Sequence, residues 1–451
     1  MSRDFTELGS FDALPLLGHL EAIRDPLDFM QRLAAAHGDL SRFRVGGQHV
    51  LVVLHPDAIE QVLVKLRHAT VKDPVTASLR EVAGQGLFTA EGETWQRSRR
   101  LVAPSFRPQH LAELAEIMLT AAEEAVATIE PGSRDVQRDM NALALDVALR
   151  TLFGMQLQAE VEHVGPLVEA LMRDFDHRKQ AVRRRLPAWL PNPIGQRVKR
   201  RRTELHGLLQ TILEQKRASG TGDGTGTVLD RLLAARDDDG HPMDDEQLRD
   251  EMLTFFVAGH ETSSLALSYS LWLLATHPRV RSCVREELDR VTNGELRAEH
   301  VRELPYLDAV VRESLRLYPP VWVVGRQATE ELVVGDVRVP AGTMILLPQW
   351  LVQRDPRWWD EPEAFRPERW LDGSERPRFA WFPFGGGQRI CVGQHFATTE
   401  IILVLATWLR HFDMHPDPGF ELELDAQLTL RPQGGVHLVL EPLRPSVPPS
   451  A

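Results

Sequence analysis

Apolar residues recur at helical spacing along most of this 451-residue chain, and two segments break the pattern. Residues 42–54, Arg-Phe-Arg-Val-Gly-Gly-Gln-His-Val-Leu-Val-Val-Leu, read as strand, Gly-Gly turn and strand, hence a hairpin. Residues 327–347 form a second strand-rich stretch, with turns at Gly335-Asp336 and Pro340-Ala341-Gly342. Nearly everything between the two carries a helical period. The pattern predicts a mainly α protein with a small β-rich part, about 40–55 and 327–347, assembled from distant segments. One domain over 1–451 is expected, with a Gly/Thr loop at 219–227 and a disordered Pro/Ser-rich tail at 445–451.

The longest predicted helix opens at Asp244-Asp245-Glu246-Gln247, a capping-box-like run, and stops at His277-Pro278. It would hold about 32 residues and span about 48 Å, enough to cross the molecule. At its middle lies Ala258-Gly259-His260-Glu261-Thr262. A mid-helix glycine costs about 1 kcal/mol relative to alanine, so the position demands a reason. Thr262 can bond back toward the Ala258 carbonyl and open the helix locally. A zinc-protease reading fails, because Ser264 stands where the second histidine is needed.

Composition narrows the class. With 43% apolar and 26% charged residues the chain is an ordinary globular protein, and its net charge of −12 speaks against a nucleic-acid partner. The first residues are charged and no apolar run is long enough to span a bilayer, so no signal peptide and no membrane anchor are expected. Only Cys283 and Cys391 occur, which points to a reducing cytoplasm rather than a disulfide framework. A basic run at 173–202, interrupted by prolines and holding Leu186, Trp189 and Leu190, reads as a solvated surface; contact with a partner, membrane or substrate is the other reading.

Residues 382–397 read Phe-Pro-Phe-Gly-Gly-Gly-Gln-Arg-Ile-Cys-Val-Gly-Gln-His-Phe-Ala. Three glycines before a lone cysteine, and Gly393 after it, let backbone pass close to something flat and bulky. The pattern turns helical from Gln394, so Cys391 is expected at a helix N-terminus, where amide N–H groups and the dipole favour a thiolate. Such a thiolate is a good iron ligand. Three rivals explain less: a small buried cysteine (the reading for Cys283), a nucleotide loop lacking its third glycine, and a zinc site with only His395 nearby.

Phe384-Gly385-x-Gly387-x-Arg389-x-Cys391-x-Gly393 resembles the haem-binding loop of the cytochrome P450 superfamily. The resemblance implies the fold of that family, haem b, and a soluble bacterial-type monooxygenase inserting one oxygen atom from O2 into an apolar small molecule by hydroxylation or epoxidation. It makes Cys391 the metal ligand, packs Phe384 beside it, and gives Trp95, Arg99, Arg326 and Arg389 to the haem propionates, with Gly393 and Ala258 against the cofactor. Glu313 and Arg316, in Arg312-Glu313-Ser314-Leu315-Arg316, and Arg369 would form a buried charge network supporting the loop. Thr262 and Glu261 would relay protons. Leu87, Phe88, Phe255, Ala258, Val321, Trp322 and Leu428 fall at the family's substrate contacts, and all are apolar or aromatic. Electrons would come from a separate donor, a ferredoxin or flavodoxin with its reductase or a diflavin reductase, to a monomeric enzyme. The alternatives are a peroxide-driven peroxygenase or isomerase and a non-catalytic haem sensor or carrier.

Overall fold

The computed structural model describes residues 3–14, 18–154, 167, 170, 193–218 and 226–443. Most of the 173–202 run, the 445–451 tail and nearly all of the 219–227 loop lie outside them. Thr227 is described, and it caps Val228–Ala234 in a reciprocal box with Asp230.

The central helix, Asp245–Thr276, has the expected 32 residues. Asp244 caps it by accepting from the Gln247 amide at 2.8 Å. The second half of the expected capping box does not form, because the Gln247 side chain turns to Ser98 at 3.1 Å and to Arg97. Most of the helix is buried on every side, from Leu248 to Phe256 and from Ser263 to Leu271. Its buried hydroxyls are satisfied locally: Ser268 donates to the Ser264 carbonyl at 2.6 Å and Ser270 to the Ala266 carbonyl at 2.7 Å. Helices Val136–Ala148, Pro305–Leu317 and Gln394–His411 pack on it, and Pro108–Thr128 packs on the last of these.

A smaller apolar core lies under a five-stranded sheet with strand order Leu40–Val45, Gln48–Val53, Met344–Leu347, Val324–Ala328, Thr70–Lys72. The expected hairpin is its first pair, with Phe43 opposite Val50. At the other edge Lys72 lies opposite Arg326, which sets two cations side by side. Gly335 and Gly342, at the two predicted turns, have φ of 59° and 80°, a backbone that favours glycine. The β-rich part extends beyond the two predicted stretches. Gly132–Asp135, Phe412–Pro416 and His437–Pro442 form one sheet, and Leu424–Ala426 pairs with Leu430–Pro432. Three of these five strands have three or four residues, too short to show a period of two.

Candidate active site

The cysteine loop is built by short backbone bonds: the Gly385 amide donates to the Phe382 carbonyl at 2.8 Å and the Cys391 amide to the Phe384 carbonyl at 2.9 Å. Its glycines divide into two kinds. A Cβ at Gly386 would sit 2.3 Å from the Phe379 ring and one at Gly387 2.1 Å from the Leu63 carbonyl, so these two serve packing against the protein. A Cβ at Gly385 or Gly393 would meet nothing within 4 Å. The expectation that all of them serve approach to a flat group is corrected for Gly386 and Gly387, which protein packing accounts for. The loop's helix, Gln394–His411, is capped at Gly393, two residues beyond the cysteine. Cys391 is exposed, yet protein mass surrounds it, so burial pushes its thiol up; the Gly393 amide and Arg99 oppose that. Desolvation outweighs the Gly393 amide and Arg99 in setting that direction. Cys283 is half-buried rather than buried.

Beside the loop four cations converge. Arg99, on the helix Gly92–Val102, donates to the Ile390 carbonyl at 3.0 Å and faces Cys391. Arg389 lies 4.0 Å over the Trp95 ring, donates to the Ala90 carbonyl at 2.8 Å and pairs with Glu91. Lys72 and Arg326 add two more charges on adjacent strands. Desolvation and the repulsion of Arg326 and Arg389 bring Lys72 down to about 7, and desolvation brings Arg389 down to about 10. Glu91 and Asp73 oppose Lys72, Arg326 and Arg389, and Cys391 opposes Arg99, so basic groups outnumber the carboxylates beside them. A recess lined by more basic groups than carboxylates, with an accessible cysteine and open space at Gly385 and Gly393, fits a flat group bearing two carboxylates, as haem does. Lys72 and Glu91 escaped the sequence reading, since only cross-strand register brings Lys72 to Arg326 and only the packing of the Gly92–Val102 helix start on the cysteine loop brings Glu91 to Arg389.

The middle of the central helix shows a second recess. Ala258 is exposed between two buried stretches of the same helix, and the Thr262 hydroxyl donates to its carbonyl at 2.7 Å, as anticipated. The Glu261 carboxylate is held elsewhere. It accepts from Thr429 Oγ1 at 2.6 Å and from Arg431 Nε at 2.6 Å, on the hairpin that also carries Leu428. Ser263 donates at 2.7 Å to Glu400, on the helix that follows Cys391. Glu400 is fully enclosed, and burial pushes it up to about 8.

Glu313 is the centre of a closed network. It accepts from Arg316 Nη2 at 2.8 Å and Nε at 2.9 Å, from Arg369 Nε at 3.0 Å, from the Trp370 indole at 2.9 Å and from the Arg366 amide at 3.0 Å. Arg316 passes the connection on, donating to the Gln353 carbonyl at 2.9 Å. The Gln353 side chain accepts from the Phe382 amide at 3.0 Å, and the Gln349 side chain donates to the Phe382 carbonyl. The network therefore grips the entry to the cysteine loop, and the two glutamines are the part of it no local motif announced.

The apolar candidates separate. Phe255 is buried edge-on against Phe106 at 5.7 Å, and Trp322 belongs to the sheet-side core with its indole N–H on the Gln427 carbonyl at 2.8 Å. Both are engaged in packing. Leu87 is buried, while Phe88, Val321 and Leu428 are half-exposed; Lys72 Nζ lies 4.5 Å over the Phe88 ring. No described helix is long and apolar enough to cross a membrane.

The family model described as Cytochrome P450 matches residues 8–439. Cyclooctatin synthase of Streptomyces melanosporofaciens is 34% identical over 439 residues, covering 95% of this chain and 94% of that protein. Cyclooctat-9-en-7-ol 5-monooxygenase of the same organism is 33% identical over 417 residues, covering 91% and 90%. The retinoic-acid-bound cyanobacterial CYP120A1 superposes with a TM-score of 0.84 at 28% identity, covering 95% of this chain and 98% of that one. With Cys391, Glu313, Arg316 and Thr262 at the places described, the chain belongs to the cytochrome P450 family and is a monooxygenase that uses haem iron, O2, a redox partner and a hydrophobic substrate.

Proposed function

We propose that Cys391 is the thiolate ligand of haem b, held in one 1–451 domain between the cysteine loop and the exposed centre of the helix Asp245–Thr276. The carrying observation is the convergence of Lys72, Arg99, Arg326 and Arg389, more basic groups than carboxylates, beside an accessible cysteine. Trp95 orients Arg389 through its ring face. Gly385 and Gly393 leave room on the cysteine side, and Ala258 leaves room on the other. Haem, when bound, supplies the activation of O2 and the transfer of one oxygen atom to the substrate.

The chain's own residues place protons and substrate. Thr262 donates its hydroxyl proton to the Ala258 carbonyl, which leaves its oxygen free to accept a hydrogen bond from the recess beside it. Glu261 can supply that hydroxyl only after its carboxylate leaves Arg431 and Thr429. Phe88, Val321, Leu428 and Ala258 form the apolar contact surface, with Leu87, Phe255 and Trp322 behind it. The enzyme is read as a cytoplasmic monomer that hydroxylates or epoxidises a cyclic terpenoid and takes electrons from a ferredoxin or flavodoxin with its reductase, or from a diflavin reductase. The two Streptomyces relatives, a cyclooctatin synthase and a cyclooctat-9-en-7-ol 5-monooxygenase, support a cyclic, largely apolar substrate. The reduced carbon monoxide complex should show the strongly red-shifted Soret band of a thiolate ligand. Thr262→Ala should consume O2 without matching product. A folded, haem-loaded protein lacking that band, or a fully coupled Thr262→Ala, would sink the reading.

A further inference from the structure

The central helix carries two consecutive buried acids about three turns before Thr262, and the reaction has no use for either. Both reach the same loop, residues 84–89. Asp250 Oδ2 accepts from the Gln85 amide at 2.7 Å, and Glu251 Oε2 accepts from the Leu87 amide at 2.8 Å. The loop is shaped to meet them. Gly84 has φ +62°, and a Cβ on it would lie 2.0 Å from Asp250 Oδ1. A Cβ on Gly86 would lie 2.2 Å from Thr254 Oγ1 and 2.5 Å from the Asp250 carbonyl. Thr89 folds the loop on itself, its hydroxyl donating to the Gly84 carbonyl at 2.6 Å.

Holding two adjacent carboxylates in the interior is expensive. Among the described residues Asp250 Oδ1 and Glu251 Oε1 are buried without a hydrogen-bond partner, and burial pushes both groups up, Glu251 to about 7 against the opposing Leu87 amide and Ser98 side chain. A loop that needed only to be covered could be packed with apolar side chains at no such cost. What the acids add is a directional hold on two amides flanking Gly86, immediately before Leu87 and Phe88. Such a hold fixes where those two side chains stand and can be broken and remade as a unit.

We infer that Asp250 and Glu251 are positioning residues that latch the 84–89 loop to the central helix, and that this latch sets the access of apolar ligands to the recess faced by Leu87 and Phe88. The second half rests on the pocket reading above. The test uses the holoenzyme, with amide hydrogen exchange over 84–89 and the association rate of 4-phenylimidazole followed at the Soret band. Glu251→Leu removes the acceptor for the Leu87 amide. Gly86→Ala pries the loop away while leaving both acids in place, and it carries the test should Glu251→Leu not fold. Both should speed exchange at Gln85 and Leu87 about tenfold or more and raise the association rate several-fold. Glu251→Gln, whose amide oxygen still accepts from Leu87, should stay within about twofold of the parent on both. Unchanged exchange in the two disrupting variants overturns the latch. Faster exchange with an unchanged association rate overturns its control of access. Phe88→Ala separates the underlying reading: if 4-phenylimidazole binds it as it binds the parent, Phe88 does not face the pocket, whatever the loop does.

Discussion

Replacing Lys72 by methionine should change how haem affinity depends on pH. Lys72 sits opposite Arg326 on the neighbouring strand and near Arg389, and burial with this repulsion brings it from the ordinary 10.5 down to about 7. At pH 8 only about a tenth of the bare protein therefore carries a charged Lys72. A propionate favours the charged form, so the lysine's pKa rises on binding and a proton is taken up wherever the pH exceeds about 7. The contribution to affinity is complete below that value and is lost as pH rises. If pairing restores Lys72 to near 10, affinity should fall about 50-fold between pH 7 and 9, or about 2.3 kcal/mol. Haemin titration of cofactor-depleted protein reads the slope, and calorimetry in two buffers of different ionisation enthalpy counts the proton. Lys72→Met should bind more weakly at pH 6 and lose most of the slope above 7. An uptake at pH 8 that is negligible, or identical in Lys72→Met, would falsify the assignment of Lys72 to the propionates.

Glu400 is a second titration with the opposite charge: its folded value of about 8 lies above the ordinary 4.5, so its burial costs nothing below about 4.5 and progressively more up to pH 8. Glu400→Gln, which keeps an acceptor for Ser263, should match the parent's Tm near pH 5 and exceed it by several degrees above pH 8, from on the order of 3–5 kcal/mol; equal Tm values at both pH values would refute this. Glu313→Ala leaves two buried guanidiniums, an indole N–H and a backbone amide without their acceptor. Breaking the buried pairs costs about 3–5 kcal/mol and each orphaned donor about 1–3 more, which approaches the whole stability of a domain. The variant should yield little soluble haem-loaded protein by its reduced carbon monoxide band, and a near-normal yield with a Tm within about 3 °C would contradict the network's role.

What the sequence showed and what it hid divide along a physical line. The central helix was legible because its period, its Asp244 cap and its Pro278 stop are all local. The cysteine loop was legible because glycines, arginine and cysteine stand at fixed short spacings. Glu313, Arg316 and Arg369 were legible as a set only through family likeness, and Gln349 and Gln353, which tie that set to Phe382, carry no motif at all. The position of the Glu261 carboxylate was hidden because its partners Thr429 and Arg431 lie in the turn and second strand of a hairpin whose strands are three residues long, below the length at which alternation registers. The roles of Gly386 and Gly387 were misread for a related reason, since the Leu63 carbonyl and the Phe379 ring that crowd them come from other segments.

Charge balance was the least legible property, and it has a mechanical consequence. Lys72 and Arg326 face each other in an antiparallel register, and like charges directly opposite destabilise a pair. The strand Thr70–Lys72 is only three residues long, sits at the sheet edge and is bonded within the sheet to Val324–Ala328 alone. Relief of the repulsion by an anion should therefore tighten this edge more than any other strand of the sheet. Hydrogen exchange at Val71, in register with Gln327, should slow severalfold when haem is loaded, while the Gln48–Val53 amides stay as they were. Equal protection at Val71 with and without haem would mean that Glu91 and Asp73 already neutralise the pair. The excess of basic groups over carboxylates on which the haem assignment rests would then carry less free charge than the residues beside the loop imply.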